Sequence, residues 1–213
     1  MMITTEEMAL LERLSVKHGV STLLLMENAG RGVARVVGER YGLGKEKKRI
    51  LVVCYHGNNG GDGFVAARYL SKMHRTEVRV AFIGDTMRLK EEAETNFERL
   101  DPGLLVSFEG EDLSRYDIII DALLGTGAKG QLREPLASAV RKINASNAHI
   151  VAVDVPTGLD PDTGERAEPC IEAELIVTFH DLKRGLVMAG LAGSCAVVDI
   201  GVPEAAVDEL KGQ

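Results

Sequence analysis

Between residues 50 and 200 the chain alternates short apolar runs with stretches of helical period. The runs are ILVVC at 50–54, EVRVAFI at 77–83, LLVSF at 104–108, YDIIIDALL at 116–124, HIVAVDV at 149–155, ELIVTF at 174–179 and CAVVDI at 195–200. Most are apolar without a break, the pattern of strands covered on both faces. Helical spacing predicts an amphipathic helix over 5–18, with Met8, Leu11 and Leu14 or Ser15 on one side. A second helix opens with Ser21 as its cap and closes at Gly42, and further helical patterns occupy 64–74, 87–100 and 135–146. Buried strands alternating with helices predict βαβ units and a mostly parallel sheet between helical layers. The last two strands lack a long intervening helix, so an irregular edge is expected there. With no repeat, low-complexity tract or linker, residues 1–213 read as a single domain.

Composition sharpens this picture. The 213 residues are 45% hydrophobic and 27% charged, enough for a real core, but only 4% aromatic with no Trp, so aliphatic side chains must fill it. The formal charge is −7 and the one basic tract is KEKKR at 45–49, which argues against nucleic acid as a partner. An anionic small molecule would have to be held by local N–H groups instead. Cys54, Cys170 and Cys195 form no C-x-x-C pair. They suit neither a disulfide framework nor a zinc site, and read as buried or semi-buried thiols in a reducing compartment. The N-terminal stretch carries acidic residues where a signal peptide needs basic ones, and no apolar run approaches the roughly 18 residues of a membrane span. A cytoplasmic protein without a membrane anchor is expected.

Parallel sheets bind ligands beyond the carboxyl ends of their strands, and the unusual residues collect there. GNNGGDG at 57–63 follows the first long strand. Its glycines suit an anion at a helix N-terminus, although no G-K-[ST] makes it a Walker loop. A tight Asn-Gly turn with Asp62 as helix cap is the alternative. GTGAKG at 125–130 matches G-x-G-x-x-G, but Gln131, Leu132 and Arg133 intervene before a helix expected near Pro135. It reads as a phosphate-cradling loop with Lys129 and Arg133 as charge partners, or as a surface loop. Asp121 and Asp154 each close an apolar strand, where a carboxylate is costly unless paired, hydrogen-bonded or bound to a cation. Asp154 has the alternative of capping the turn made by Pro156 and Gly158. His180 and Lys183 read as exposed loop residues, and His56 stays open as a site residue.

The segments MENAGRGVA, GNNGGDGFVAARYL, DALLGTGAKG, VAVDVPTGLDPDTGE and VTFHDLKRGL occur in that order over residues 26–187. In them the chain resembles the NAD(P)H-hydrate epimerase family. The resemblance implies a Rossmann-like three-layer α/β/α sandwich, usually a homodimer, that interconverts the R and S epimers of hydrated NADH and NADPH (NADHX and NADPHX). It also implies a dehydratase partner on a separate polypeptide. Carried over by motif, Asn58, Asn59, Gly60, Gly61 and Asp62, together with Gly125, Thr126, Gly127, Ala128, Lys129, Gly130 and Gln131, would contact the dinucleotide. Asp154 would sit at the reacting ring as acid–base group, and Asn59, Asp121 and Thr157 would hold a potassium ion. The chain departs from the family where Thr157 replaces a serine, Tyr55-His56 replaces small residues, and Ala128 replaces an aromatic.

Two rival functions follow from the same residues. A non-catalytic nucleotide-binding or dimerisation scaffold of this fold would be expected to lose Asp154 or the glycine segment, and both are present. An NAD-dependent dehydrogenase built on GTGAKG would need its helix to open inside that motif.

Overall fold

The computed structural model describes residues 2–127 and 129–212. In chain order the elements are β1 (Met2–Ile3), α1 (Thr5–Lys17), α2 (Thr22–Arg40), β2 (Lys48–Cys54), α3 (Asn58–Leu70), β3 (Thr76–Phe82), α4 (Glu91–Glu98), β4 (Leu105–Val106), β5 (Ile118–Ala122), α5 (Leu136–Asn144), β6 (His149–Val153), β7 (Leu175–Phe179), β8 (Leu182–Lys183), α6 (Arg184–Met188), β9 (Cys195–Val198) and α7 (Glu204–Lys211). Seven strands form one sheet in the order β4-β3-β2-β5-β6-β7-β9, with every neighbouring pair parallel.

Unbroken apolar runs produce two buried faces because successive side chains point to opposite sides of a strand. On β2, Ile50, Val52 and Cys54 pack with Leu11, Val33, Phe64 and Leu70 from α1, α2 and α3. Leu51 and Val53 pack on the other side with Val140 and Ile143 of α5. The sheet therefore lies between helical layers. Helix α1 opens with a capping box between Thr4 and Glu7, and Ser21 caps α2 as the sequence suggests.

Starting from β2 the chain winds outward through β3 and β4, then returns to β5 and winds the other way through β6, β7 and β9. The strand order thus reverses between β2 and β5, and a crevice opens beyond their carboxyl ends, the position at which such sheets bind ligands.

Several boundaries differ from expectation. Helix α3 starts at Asn58 rather than near 64, so the glycines lie inside its first turns. The 87–100 pattern splits into a 3₁₀ turn at Thr86–Arg88 and the shorter α4. The strand expected over 104–108 keeps two paired residues. Between β7 and β9 the short β8 and α6 replace a long helix, which is the irregular edge the sequence implied. Helix α7 and the small parallel sheet of β1 with β8 were not foreseen.

Candidate functional site

A cavity of about 440 Å³ occupies the crevice at the strand-order reversal. Its walls come from α1 and α2, the start of α3, the turn after β5, and the ends of β6, β7 and β8. A wider depression of about 630 Å³ lies at the opposite end of the sheet, lined by Lys47, Arg75, Glu77 and Arg79. Lys47, Arg49 and Arg79 there pair with Glu77 on the surface, so it has no counterpart to the buried polar groups of the crevice.

Asp154 leaves β6 with φ 63°, a left-handed conformation that Asp tolerates better than most residues. The Val155 N–H closes the turn by donating to the Val153 carbonyl at 2.8 Å. His180 repeats the device at the end of β7, with φ 63° and the Asp181 N–H donating to the Phe179 carbonyl at 2.7 Å. Such backbone costs on the order of 1–3 kcal/mol and persists where surrounding structure fixes it. Here it throws the Asp154 carboxylate into the cavity and turns the chain toward β8.

Lys183, expected on an exposed loop, is buried (0% exposed) and pairs with Asp154 Oδ1 at 2.7 Å. Its ammonium also donates to Thr178 Oγ1 at 3.2 Å and to the Phe179 carbonyl at 2.8 Å, so all its protons are used. Thr178 in turn donates to Asp154 Oδ1 at 3.3 Å. The lysine is placed by β8, whose partner β1 aligns Ile3 with Lys183. His180 is half-buried, and burial lowers its pKa.

At the start of α3, neither Asn59 Oδ1 nor Asn59 Nδ2 has a hydrogen-bond partner, although the residue is only 7% exposed. A methyl group placed on Gly125 would lie 3.1 Å from Asn59 Oδ1 and 3.3 Å from Asp154 Oδ2. The glycine loop therefore runs close to both the amide and the carboxylate. Asp121 is fully buried and accepts from the Thr157 N–H at 2.8 Å, the Thr157 hydroxyl at 2.7 Å and the Leu123 N–H at 3.2 Å. Burial pushes its pKa up to about 6, those hydrogen bonds working against the rise. Among the described residues no basic side chain forms an ion pair with it. An unpartnered amide oxygen, a carboxylate with no basic side-chain partner among the described residues and a hydroxyl are oxygen groups of the kind that suit a hard cation.

Four carboxyl groups line the cavity, those of Asp154, Asp62, Glu12 and Glu92. Asp62 lies within α3 and caps nothing, since Gly57 holds the N-cap position. Burial, with Asp154 and Glu12 nearby, pushes the Asp62 pKa well up, and Lys183 offsets only part of this. Glu12 on α1 is raised by burial and then by Asp154. Glu12 was not singled out from sequence, yet it lies next to Leu11 on the inner side of a helix whose buried residues are Met8, Leu11, Leu14 and Ser15. A charged residue at the edge of that apolar stripe was the available signal.

Asn58, Gly57, Gly125, Thr126 and Gly127 line the cavity with the residues above, as do Tyr55 and His56, whose rings stack with centroids 3.8 Å apart. His56 Nδ1 is buried without a partner. Gly60 and Gly61 are buried in α3 and serve packing. Gly60 lies under the Tyr55 carbonyl, and Gly61 lies against Met26 and Ala93. Lys129, expected to meet phosphate, pairs with Asp162 at 3.0 Å, which also accepts from the Thr5 N–H and hydroxyl. Gln131 accepts from the Glu168 N–H at 3.2 Å, Arg133 and Gly130 are exposed, and Ala128 lies outside the described residues. Helix α5 begins at Leu136, after Pro135, so among the described residues no helix opens inside GTGAKG as the dehydrogenase arrangement requires.

Residues 22–185 match a family described as YjeF-related protein N-terminus. The bifunctional NAD(P)H-hydrate repair enzyme Nnr of Pyrobaculum aerophilum is 44% identical over 94% of this chain, which spans 42% of that relative's length. NAD(P)H-hydrate epimerases of Cenarchaeum symbiosum and Nitrosopumilus maritimus are 39% and 36% identical, over 94% and 99% of this chain and 95% and 100% of their own. The crystal structure of yeast YNL200c has the same fold, with a TM-score of 0.82 over 99% of this chain and 93% of that one at 24% identity.

Proposed function

The chain belongs to the YjeF-related protein N-terminus family, and from that premise we propose that it interconverts the R and S epimers of hydrated NADH and NADPH. The observation that carries this reading is the buried Asp154–Lys183 pair inside a cavity with unpartnered polar groups at the strand-order reversal. The relatives of matching length, named NAD(P)H-hydrate epimerase, support it.

The hydrate is a hemiaminal whose C6 hydroxyl sits beside the ring nitrogen. Once the hydroxyl is protonated, the nitrogen lone pair expels it as water and leaves a planar iminium. Water then adds to the other face and gives up a proton. Asp154 is the acid–base group at the ring. Its pairing with Lys183 presents a carboxylate ready to take the proton of the incoming water, and the acid so formed returns it in the reverse direction. A positioned acid–base group contributes on the order of 10²–10⁴-fold. The start of α3 and the loop from Gly125 hold the dinucleotide: the free N–H groups of the helix face its phosphates, and Asn58 and Asn59 lie beside them.

Asn59, Asp121 and Thr157 would hold a potassium ion. The ion would supply positive charge beside a buried carboxylate and an oxygen-binding anchor for the ligand. The protein acts as a homodimer in the cytoplasm, where free thiols persist, and a dehydratase on a separate polypeptide consumes one of the two epimers. The test is to incubate resolved R-NADHX with the protein, with and without potassium, and follow the S epimer by chromatography. Conversion well above the spontaneous rate and stimulated by potassium supports the reading. Conversion at the spontaneous rate with the dinucleotide still bound contradicts it.

A further inference from the structure

Epimerisation needs proton transfer on both faces of the ring, because the hydroxyl leaves from one side and returns to the other. Asp154 with Lys183 supplies one face. The other acids lining the cavity are Glu12 on α1, Asp62 on α3 and Glu92 on α4, the last accepting a hydrogen bond from the Thr22 hydroxyl. Of these, Asp62 is the most deeply placed, only 9% exposed. Among the described residues nothing hydrogen-bonds to its carboxyl group, and no basic side chain pairs with it. It rises from the same helical turns as Asn59, the buried amide that also lacks a partner. An unpaired carboxyl group in that position is stable when it carries a proton, and its neighbours enforce this: burial, then Asp154, then Glu12 all raise its pKa.

We infer that Asp62 is the second acid–base residue of the epimerisation, working on the ring face opposite Asp154. The inference rests on the epimerase reading above. In one direction Asp62 protonates the C6 hydroxyl, the C6–O bond breaks as the ring nitrogen donates its lone pair, and water departs. Asp154 takes a proton from the water that bonds to C6 on the other face. The enzyme ends with the proton on Asp154 and none on Asp62, which is the state required for the reverse reaction. One proton has crossed the site and no electrons have been gained or lost. Glu12 lines the same cavity.

The experiment is oxygen exchange in H₂¹⁸O, with each resolved epimer of NADHX offered separately to wild type, Asp62→Asn and Asp154→Asn. Thermal melting and dinucleotide binding confirm that each variant is folded. Wild type should interconvert the epimers and label both. Each variant should lose interconversion by on the order of 10²–10⁴-fold. Each should nevertheless still label one epimer, because departure and return on a single face need only the acid that remains, and the labelled epimer should differ between the two variants. Asp62→Asn interconverting the epimers at the wild-type rate overturns the inference. So does retention of the same epimer's exchange in both variants, or loss of all exchange in either. Wild type that neither interconverts nor labels the epimers overturns the epimerase reading itself.

Discussion

Lys183 shows how far a single residue can depart from its sequence context. In VTFHDLKRGLV it stands among other charged residues, and nothing local distinguishes it from a solvated loop lysine. Its burial follows from the backbone reversal at His180 and from pairing of β8 with β1, a contact between the first residues of the chain and residues near 183. Sequence periodicity does not encode that. Removing one partner of a buried ion pair costs about 3–5 kcal/mol. Lys183→Met should therefore be strongly destabilised, and partly rescued by adding Asp154→Asn. Urea unfolding reads this directly. The strand-end aspartates were legible, because a carboxylate closing an apolar run must have a reason. Asp121 makes a separate prediction. Its folded pKa, about 6, lies above the unfolded value of 3.8. Between those values the unfolded chain loses its proton first, so without a cation stability falls as pH rises through that window and stays lower above it. A cation bound to ionised Asp121 offsets the loss. Potassium should raise the melting temperature at pH 7.5 and have little effect at pH 5, and Asp121→Asn should abolish the difference. An equal potassium effect at both pH values contradicts this placement.

Helix α3 departs furthest from its sequence pattern. Four glycines in seven residues look like a loop when only conformational freedom is considered. None of the glycines in the segment has positive φ. For Gly60, Gly61 and Gly63 the reason is close packing: a Cβ on Gly60 would lie 1.7 Å from the Tyr55 carbonyl oxygen, and one on Gly63 would lie 2.5 Å from Ala122 Cβ and 2.7 Å from Cys54 Sγ. The helix is thereby drawn onto β2 and β5 so that Asn59 and Asp62 reach the crevice. Gly63→Ala should cost about 1–3 kcal/mol by overpacking, and Gly60→Ala at least as much, because it meets backbone. Thermal melting measures both. Dinucleotide affinity should fall with them, as displacing α3 moves the site. The long strands were readable because burial on both faces leaves an unbroken apolar signature, whereas β1, β8 and α7 are too short or too weakly patterned to leave one.

For the whole molecule, strand order decides where chemistry occurs. Sequence alone indicates βαβ units and three residue clusters at strand ends, but not that β5 returns beside β2. That reversal brings GNNGGDG, the Gly125 loop and Asp154 around one cavity and leaves the basic tract at 45–49 at the far end of the sheet. The proposed homodimer should appear in light scattering at twice the mass of one chain, and a monomer retaining full activity would remove it from the account. The most direct test of the central claim compares wild type with Asp154→Asn for conversion of resolved R-NADHX to the S epimer at equal dinucleotide occupancy. The site described here predicts a loss on the order of 10²–10⁴-fold in the variant with its fold intact. An unchanged rate in the variant would contradict the placement of the chemistry at Asp154.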